Sequence, residues 1–537
     1  MSATARPEAE TKAAQQARAV GVVSLFAGLG MVFGYARDAA LAAIFGASAQ
    51  TDAFYVASLI PIMVGTVIVG GALGPALLPI LAARSDQESH IWLVVNSVVT
   101  LSALALLGIV GALVIGAVPL AQWMAPGFDA ERAALTVRLV ILTAPAVALL
   151  GLAALLGVTL NALNVYDVPA FGQALVNSAA FASLLILAPR LGIEAAALGI
   201  LIGGALQFTL QALALRHRGW DYRPSLNLSH PAVRETWRLF VPLLVFVILA
   251  QCVPIVERVV ASGFAAGQLS HLTFASKLYQ IPGLVLSSSV AIVIFPMLAR
   301  DHAAQDVSGY MSTLRAGIRN MALLTVPLSL WFFLSSPTWV RLIFQRGEFT
   351  ALDTQSTADL LRWYSLAVAP AAILLVLTRA FHAMRDMVTP LYIGIANSLL
   401  YILAAWTLPR YFQLPGLPLA FVISQVAGSL MTIGVLQARL KRPLREWLDP
   451  ALRGVGSGGL GLAVLLIGWL LWIEPSILGL SAPLQALVFA CALGISGIVY
   501  LLIASRAGTP EARTYLSFFS MTRLYSFAAR KARIKWL

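Results

Sequence analysis

The chain has 537 residues, of which 59% are hydrophobic and only 11% charged, with a formal net charge of +13. A soluble globular domain carries about 25% charged residues, so this composition excludes one and describes a polytopic membrane protein. The positive excess does not mark a nucleic-acid binder, because the basic residues gather in alternate loops and in the C-terminal tail, the pattern of membrane topology.

Residues 1–20 are polar and lack an apolar core before a small-residue cleavage site, so no cleavable signal is expected and the first helix directs insertion. A span needs about 20 apolar residues, and about fourteen segments qualify. They run at 21–47, 52–83, 91–118, 133–160, 168–189, 192–215, 237–262, 268–298, 315–343, 356–383, 388–409, 416–438, 453–473 and 483–505. With the N-terminus inside, the cytoplasmic loops hold Arg84, Arg216, Arg218, Arg223, Arg234, Arg300, Arg385, Arg439, Lys441, Arg442 and Arg445. The opposite side holds Arg132, Arg190, Arg341, Arg346 and Arg410, which places both termini in the cytoplasm. The tail 507–537 mixes Leu516, Phe518, Phe519, Leu524, Tyr525 and Phe527 with Arg513, Arg523, Arg530, Lys531, Arg533 and Lys535. It reads as a basic amphipathic segment on anionic membrane lipid, or simply as a topological anchor. Cys252 and Cys491 lie in apolar runs and read as small packing residues.

A weak repeat organises the spans. Leu78-Pro79-Ile80-Leu81-Ala82-Ala83-Arg84 matches Phe295-Pro296-Met297-Leu298-Ala299-Arg300. The stretch Asn161 to Pro169, followed by Asn177-Ser178, matches His382 to Pro390, followed by Asn397-Ser398. Six spans separate the copies, and an even number preserves orientation. The expected fold is an all-α membrane protein with two parallel six-helix lobes, residues 21–220 and 221–440, around a central cavity. Two extra C-terminal helices follow at 441–506. Rocking one lobe against the other then gives alternating access.

Charges inside the spans mark the candidate site, since each costs roughly 2.5–3.5 kcal/mol at mid-bilayer. Arg37 and Asp38 interrupt the first apolar run. One reading is a buried pair that merely locks helices, but neighbours on a helix point in different directions and pair poorly, so each is expected to need its own partner, water or substrate. Asp52 begins span 2, Glu257 and Arg258 lie late in span 7, and Lys277 lies in span 8. Glu257 and Lys277 allow two readings, a mutual salt bridge or a carboxylate that binds and releases a cation. Arg138, Arg362 and Arg379 are within reach of an interface and read as snorkelling side chains. Prolines 61, 145, 254, 282 and 327, and Gly70-Gly71, suit helices that bend or pack closely.

Gly34-Tyr35-Ala36-Arg37-Asp38, followed by Ala43-Ile44-Phe45-Gly46 and Thr51-Asp52-Ala53-Phe54, resembles the start of the MurJ/MviN family of lipid II flippases. So do Phe274-Ala275-Ser276-Lys277-Leu278-Tyr279-Gln280-Ile281-Pro282, Arg346-Gly347-Glu348-Phe349 and Arg379 to Pro390. This family belongs to the multidrug/oligosaccharidyl-lipid/polysaccharide exporter superfamily. The resemblance implies a two-lobed inner-membrane flippase for a polyprenyl-pyrophosphate-linked glycan, either lipid II or a related envelope or exopolysaccharide precursor. Arg37, Asp38, Asp52, Lys277 and Arg258 are then the substrate-binding candidates. Glu257, Asp386, His382 and Asn397 are the coupling-ion candidates, with Na+ or H+ as the ion and no other cofactor. The resemblance departs in span 2, where Pro61-Ile62-Met63-Val64-Gly65-Thr66 lacks the family's arginine, and in span 8, where Lys277 replaces an arginine. Lysine keeps the charge and loses forked geometry.

Two other classes fit the residues less well. A cation-coupled multidrug exporter of the same superfamily calls for an acidic, apolar cavity, against which Arg37 and Lys277 stand. A membrane enzyme calls for paired acid/base groups or a catalytic loop, and the short loops carry no such cluster, metal spacing or nucleophile elbow. The resemblance implies the lipid-linked glycan and other cell-envelope biosynthesis proteins as partners, the basic tail adds anionic lipids, and no nucleic acid is expected.

Overall fold

The computed structural model describes residues 5–66, 74–82, 88–227, 230, 231, 233–238, 240, 251–289, 293–443, 447, 449–477 and 479–519. Gly70, Gly71, Arg84, Arg445 and the tail from Ser520 onward, with Arg523, Arg530, Lys531, Arg533 and Lys535, lie outside them. All regular structure among the described residues is helical. Eleven helices there are long and apolar enough to cross a membrane. The three other expected spans, 52–83, 237–262 and 268–298, run into residues that are not described. Contacts divide the chain into two compact units, Met1–Ser270 with Arg346–Thr350, and His271–Gln345 with Ala351–Leu537.

The first unit opens with helix α1 (Ala5–Phe45), of which Gly21–Phe45 is apolar enough to span. Helices α2 (Ala49–Thr66), α3 (Gly74–Ala82), α4 (Glu88–Ile115) and α5 (Ala117–Met124) follow. Then come α6 (Ala130–Ala162), α7 (Asp167–Leu191) and α8 (Glu194–Arg216). Asp129 starts α6 by accepting a hydrogen bond from the Arg132 amide at 2.8 Å, which satisfies one of the free amides of the first turn. Helix α7 packs against both α1 and α8, and α6 packs against α2 and α8. An apolar core of Leu77, Val94, Val98, Leu155, Leu160 and Leu215 fills the space between α3, α4, α6 and α8.

In the second unit, two apolar cores run through the helices. One joins Leu314, Val376, Leu377, Phe381 and Leu436. The other joins Trp331, Leu462, Trp469, Phe489 and Tyr500. Arg319, in the helix Val307–Leu334, donates to both Asp449 and Glu511. That ties the start of the C-terminal segment, helix Pro510–Phe519, to the bundle.

The repeat seen in the sequence recurs in the backbone. Asn164 and Arg385 take left-handed conformations (φ 60° and 61°), as do Gly192 and Gln413 (φ 61° and 53°), each pair 221 residues apart. The same turn hydrogen bond accompanies the first pair, from Val165 N to Leu160 O and from Asp386 N to Phe381 O. Each turn reverses the chain between antiparallel spans. The two units therefore contain helix pairs built by the same local rule, α6–α7 in one and Val368–Ala383 with Val388–Thr407 in the other.

Candidate functional site

A cavity of about 850 Å³ lies inside the first unit, walled by α1, α2, α3, α6, α7 and α8. Arg37 lines it together with Asn161, Tyr166, Gln173, Asn177, Gln207 and Gln211, on a largely apolar wall. Among the described residues that line it, Arg37 is the one charged side chain.

Here the structure corrects the sequence reading of Arg37 and Asp38. They do pair with each other: Nε and an NH2 nitrogen of Arg37 donate to Asp38 Oδ1 at 3.1 and 3.0 Å. The arginine stem is long enough to fold its flat guanidinium back across the angle separating neighbouring side chains. The remaining terminal nitrogen donates to Asn177 Oδ1 at 3.3 Å, and Asn177 in turn donates to Gly30 O at 2.9 Å. Asp38 is buried behind the guanidinium, while Arg37 keeps 22% of its side chain exposed. The carboxylate thus lowers the cost of holding a cation in an apolar wall, and one face of the guanidinium remains toward the cavity.

Asp52 does not line that cavity. Its side chain is 1% exposed and turned into the protein, where it closes the start of the helix Gln268–Ser289. It accepts from Gly267 N at 2.7 Å, from Ser270 N at 2.8 Å and from Ser270 Oγ at 2.5 Å. Free amides and the helix dipole favour an anion at a helix N-terminus. The carboxylate therefore acts as a cap supplied from another element. Arg132 approaches the same carboxylate at 4.0 Å, bonds Asp129 at 2.8 Å and lies over the Phe128 ring. Hydrogen bonds from the Arg132 amide and then its guanidinium hold the Asp129 carboxyl below the usual carboxylate range.

Two glycines make this seam close-fitting. A Cβ on Gly267 (φ 86°) would stand 2.3 Å from Ala47 O, and one on Gly347 (φ 56°) would stand 2.1 Å from Ala43 O. Glu348 N donates to that same Ala43 oxygen at 2.9 Å, and Gly127 N donates to Ser262 Oγ at 3.1 Å. Four connections, around residues 43–52, 125–129, 262–270 and 346–350, so meet at close range.

The remaining candidates sit elsewhere. Glu257 lies 3.8 Å from its neighbour Arg258, both largely buried in the helix Cys252–Ala261. Lys277 is half-buried in the helix Gln268–Ser289. In the second unit, Asp386 opens the helix Val388–Thr407, accepting from the Thr389 hydroxyl at 2.6 Å, from the Val388 and Thr389 amides at 3.0 Å, and from Arg439. These bonds, the Thr389 hydroxyl first, hold its carboxyl well below the usual range. His382 lies one turn earlier. Asn397 lies eleven residues further on, about 16 Å along a helix, and donates to Gln425 at 3.5 Å. Among the described residues no three metal-binding side chains converge.

Sequence reasoning missed the amides of the cavity. The available signal was Gln207 and Gln211, four apart on an otherwise apolar helix and hence on one face. It also missed Gly267, Ser270 and Arg132, which lie in ordinary loop and helix-start sequence.

Residues 41–476 match the family model described as lipid II flippase MurJ. A lipid II flippase MurJ from Burkholderia cenocepacia is 29% identical over 468 residues, covering 85% of this chain and 89% of its own. A probable lipid II flippase MurJ from Vibrio cholerae is 28% identical over 402 residues, covering 72% and 77%. Among solved structures, a lipid II flippase MurJ in an inward closed conformation superposes with a TM-score of 0.76 at 22% identity, covering 90% of this chain and 98% of that one. An inward-facing multidrug resistance MATE family transporter superposes at 0.66 and 12% identity, covering 77% and 94%. Both are likenesses of fold.

Proposed function

This chain belongs to the lipid II flippase MurJ family, and from that premise we infer that it carries a polyprenyl-pyrophosphate-linked glycan from the inner to the outer leaflet of the bacterial cytoplasmic membrane. The cargo is lipid II or a related envelope precursor. It is a transporter and not an enzyme. The observation that carries the reading is the cavity with Arg37 on its wall. A pyrophosphate needs a fixed cation with several donors, and a guanidinium meets phosphate oxygens in forked geometry.

Arg37 then works as an exchange point. Asp38 and Asn177 engage three of its five N–H donors. An arriving pyrophosphate competes with them for the guanidinium, and Asp38 competes back on release, so binding stays strong enough to load and weak enough to unload. The Asp52 seam supplies the closed side of an alternating-access cycle, because its bonds must break before residues 46–52 and 262–270 separate. Membrane potential or a Na+ or H+ gradient drives the cycle, and both termini face the cytoplasm.

The multidrug alternative shares the fold, but among the described residues no carboxylate lines this cavity to attract an organic cation. Purified protein in liposomes, given fluorescent lipid II in the inner leaflet, tests the reading. Transfer that depends on the protein and stops in Arg37→Ala supports it. Export of an organic cation with no movement of lipid II refutes it.

A further inference from the structure

One side of the cavity is built from amides. Along α7, Asn177, Gln173 and Pro169 recur at intervals of four and share one stripe of the helix, each step about 6 Å. Asn177 holds Arg37 at one level. Toward the start of α7, Gln207 and Gln211 of α8 reach in beside Gly172. The cavity therefore has a cationic level and a neutral amide level, displaced along α7.

Gln211 is the unusual member. It is 1% exposed, lines the cavity, and its Oε1 has no hydrogen-bond partner among the described residues. Buried polar side-chain atoms are ordinarily paired, and one that is not calls for a partner. The space around the amide is itself constructed. A Cβ on Gly172 would stand 3.1 Å from Gln211 Nε2 and 3.0 Å from Gln207 Cγ, and one on Gly157 would stand 3.5 Å from Nε2. Two positions without side chains leave room for the amide.

We propose that Gln211 is a specificity residue, accepting an N–H or O–H from the uncharged glycan or peptide portion of the cargo while Arg37 takes the pyrophosphate. This rests on the lipid-linked glycan reading above. An orphaned oxygen selects donors, so acetamido, amide and hydroxyl groups fit it, and a phosphate without protons does not. The amide level then reads what the lipid carries, and the arginine level reads that it is a lipid pyrophosphate.

The test compares two ligands on the full-length protein in nanodiscs: lipid II, and polyprenyl pyrophosphate bearing no sugar. Gln211→Leu keeps the volume and removes the acceptor. It is expected to weaken lipid II binding about 5- to 10-fold, the size of one lost hydrogen bond, and to leave polyprenyl pyrophosphate binding unchanged. Arg37→Ala weakens both. Gly172→Ala, which displaces both glutamines and removes neither, is expected to repeat the selective loss and decides the matter if Gln211→Leu does not fold. Equal weakening of both ligands by Gln211→Leu makes the residue a packing element and overturns the proposal. No effect on either ligand means a trapped water satisfies the oxygen and also overturns it. Failure of the unmodified protein to bind either lipid strikes the flippase reading itself, and the proposal falls with it.

Discussion

Ser270 donates twice to Asp52, once from its amide and once from its hydroxyl, across 218 residues of sequence. That pair joins the start of α2 to the start of the helix Gln268–Ser289, and with Gly267 it accounts for both oxygens of a carboxylate that is 1% exposed. A buried anion of this kind is retained because free helix amides surround it. It is also the contact that must open if the seam is to open.

Asp52→Ala removes the cap and leaves the Ser270 and Gly267 amides unsatisfied. Loss of a cap costs about 1 kcal/mol, up to about 2. In the proposed cycle that cost falls on the closed seam. A cysteine placed at Ser262, with Cys252 and Cys491 replaced, is expected to react several-fold faster with an impermeant thiol reagent in Asp52→Ala than in its parent. Equal rates would show that the cap does not hold the seam.

Gly347→Ala meets two obstacles at once, a positive φ and a Cβ placed 2.1 Å from Ala43 O. The conformational penalty alone is roughly 1–2 kcal/mol, and the backbone oxygen cannot move aside as a side-chain tip can. Thermal unfolding in detergent is expected to show clear destabilisation with Gly347→Ala. Gly497→Ala, where a Cβ meets nothing within 4 Å, serves as the control. Similar melting of the two variants removes the argument for a close-fitting seam.

Arg37→Lys separates charge from geometry. It keeps a cation and loses the forked donors that reach Asp38 and Asn177 together. Flipping in liposomes is expected to fall markedly in Arg37→Lys and to vanish in Arg37→Ala, with normal membrane yield of both. Asp38→Asn keeps an acceptor but removes the competing charge, so it is expected to tighten polyprenyl pyrophosphate binding and slow turnover. Weaker binding in Asp38→Asn contradicts the exchange mechanism.

Asp386 gives a pH signature. Its folded carboxyl titrates below the ordinary value of about 3.9, because Thr389, Val388 and Arg439 favour the charged form. A lowered carboxylate contributes stability that is fully present above the unfolded value and lost as pH falls through the folded one. The melting difference between the parent and Asp386→Asn is therefore expected to stay flat from pH 8 to 5 and to shrink only in stronger acid. A coupling-ion role makes a different prediction: Na+ raises the melting temperature of the parent and not of Asp386→Asn. The two outcomes distinguish a helix cap from an ion ligand.

Much of the architecture is legible along the chain. The apolar runs mark the eleven described spans, and the matched stretches at Asn161 and His382 announce turns that recur in the backbone at Asn164 and Arg385. Arg37 stands out by its cost alone. What stays hidden is partnership. The rule that neighbours on a helix diverge gave the wrong answer for Asp38, since it describes Cβ directions and ignores the reach of a guanidinium. Asp52 carries a charge and so attracts attention, yet its work is with backbone amides, which leave no mark on the sequence. Gln211 is an uncharged residue in an apolar helix and gives only the four-residue spacing from Gln207.

Local residue patterns are enough to establish a helical membrane protein with an internal repeat and a costly cation in its first span. Partition into a bilayer depends on local hydropathy and charge, and both are read one segment at a time. Which polar groups meet is set by packing: Arg37 with Asn177 across 140 residues, and Asp52 with Ser270 across 218. Such pairs form only where packed helices bring distant turns to within about 3 Å, a hydrogen bond's reach. Whether a charged residue lines a cavity or closes a seam depends on that meeting.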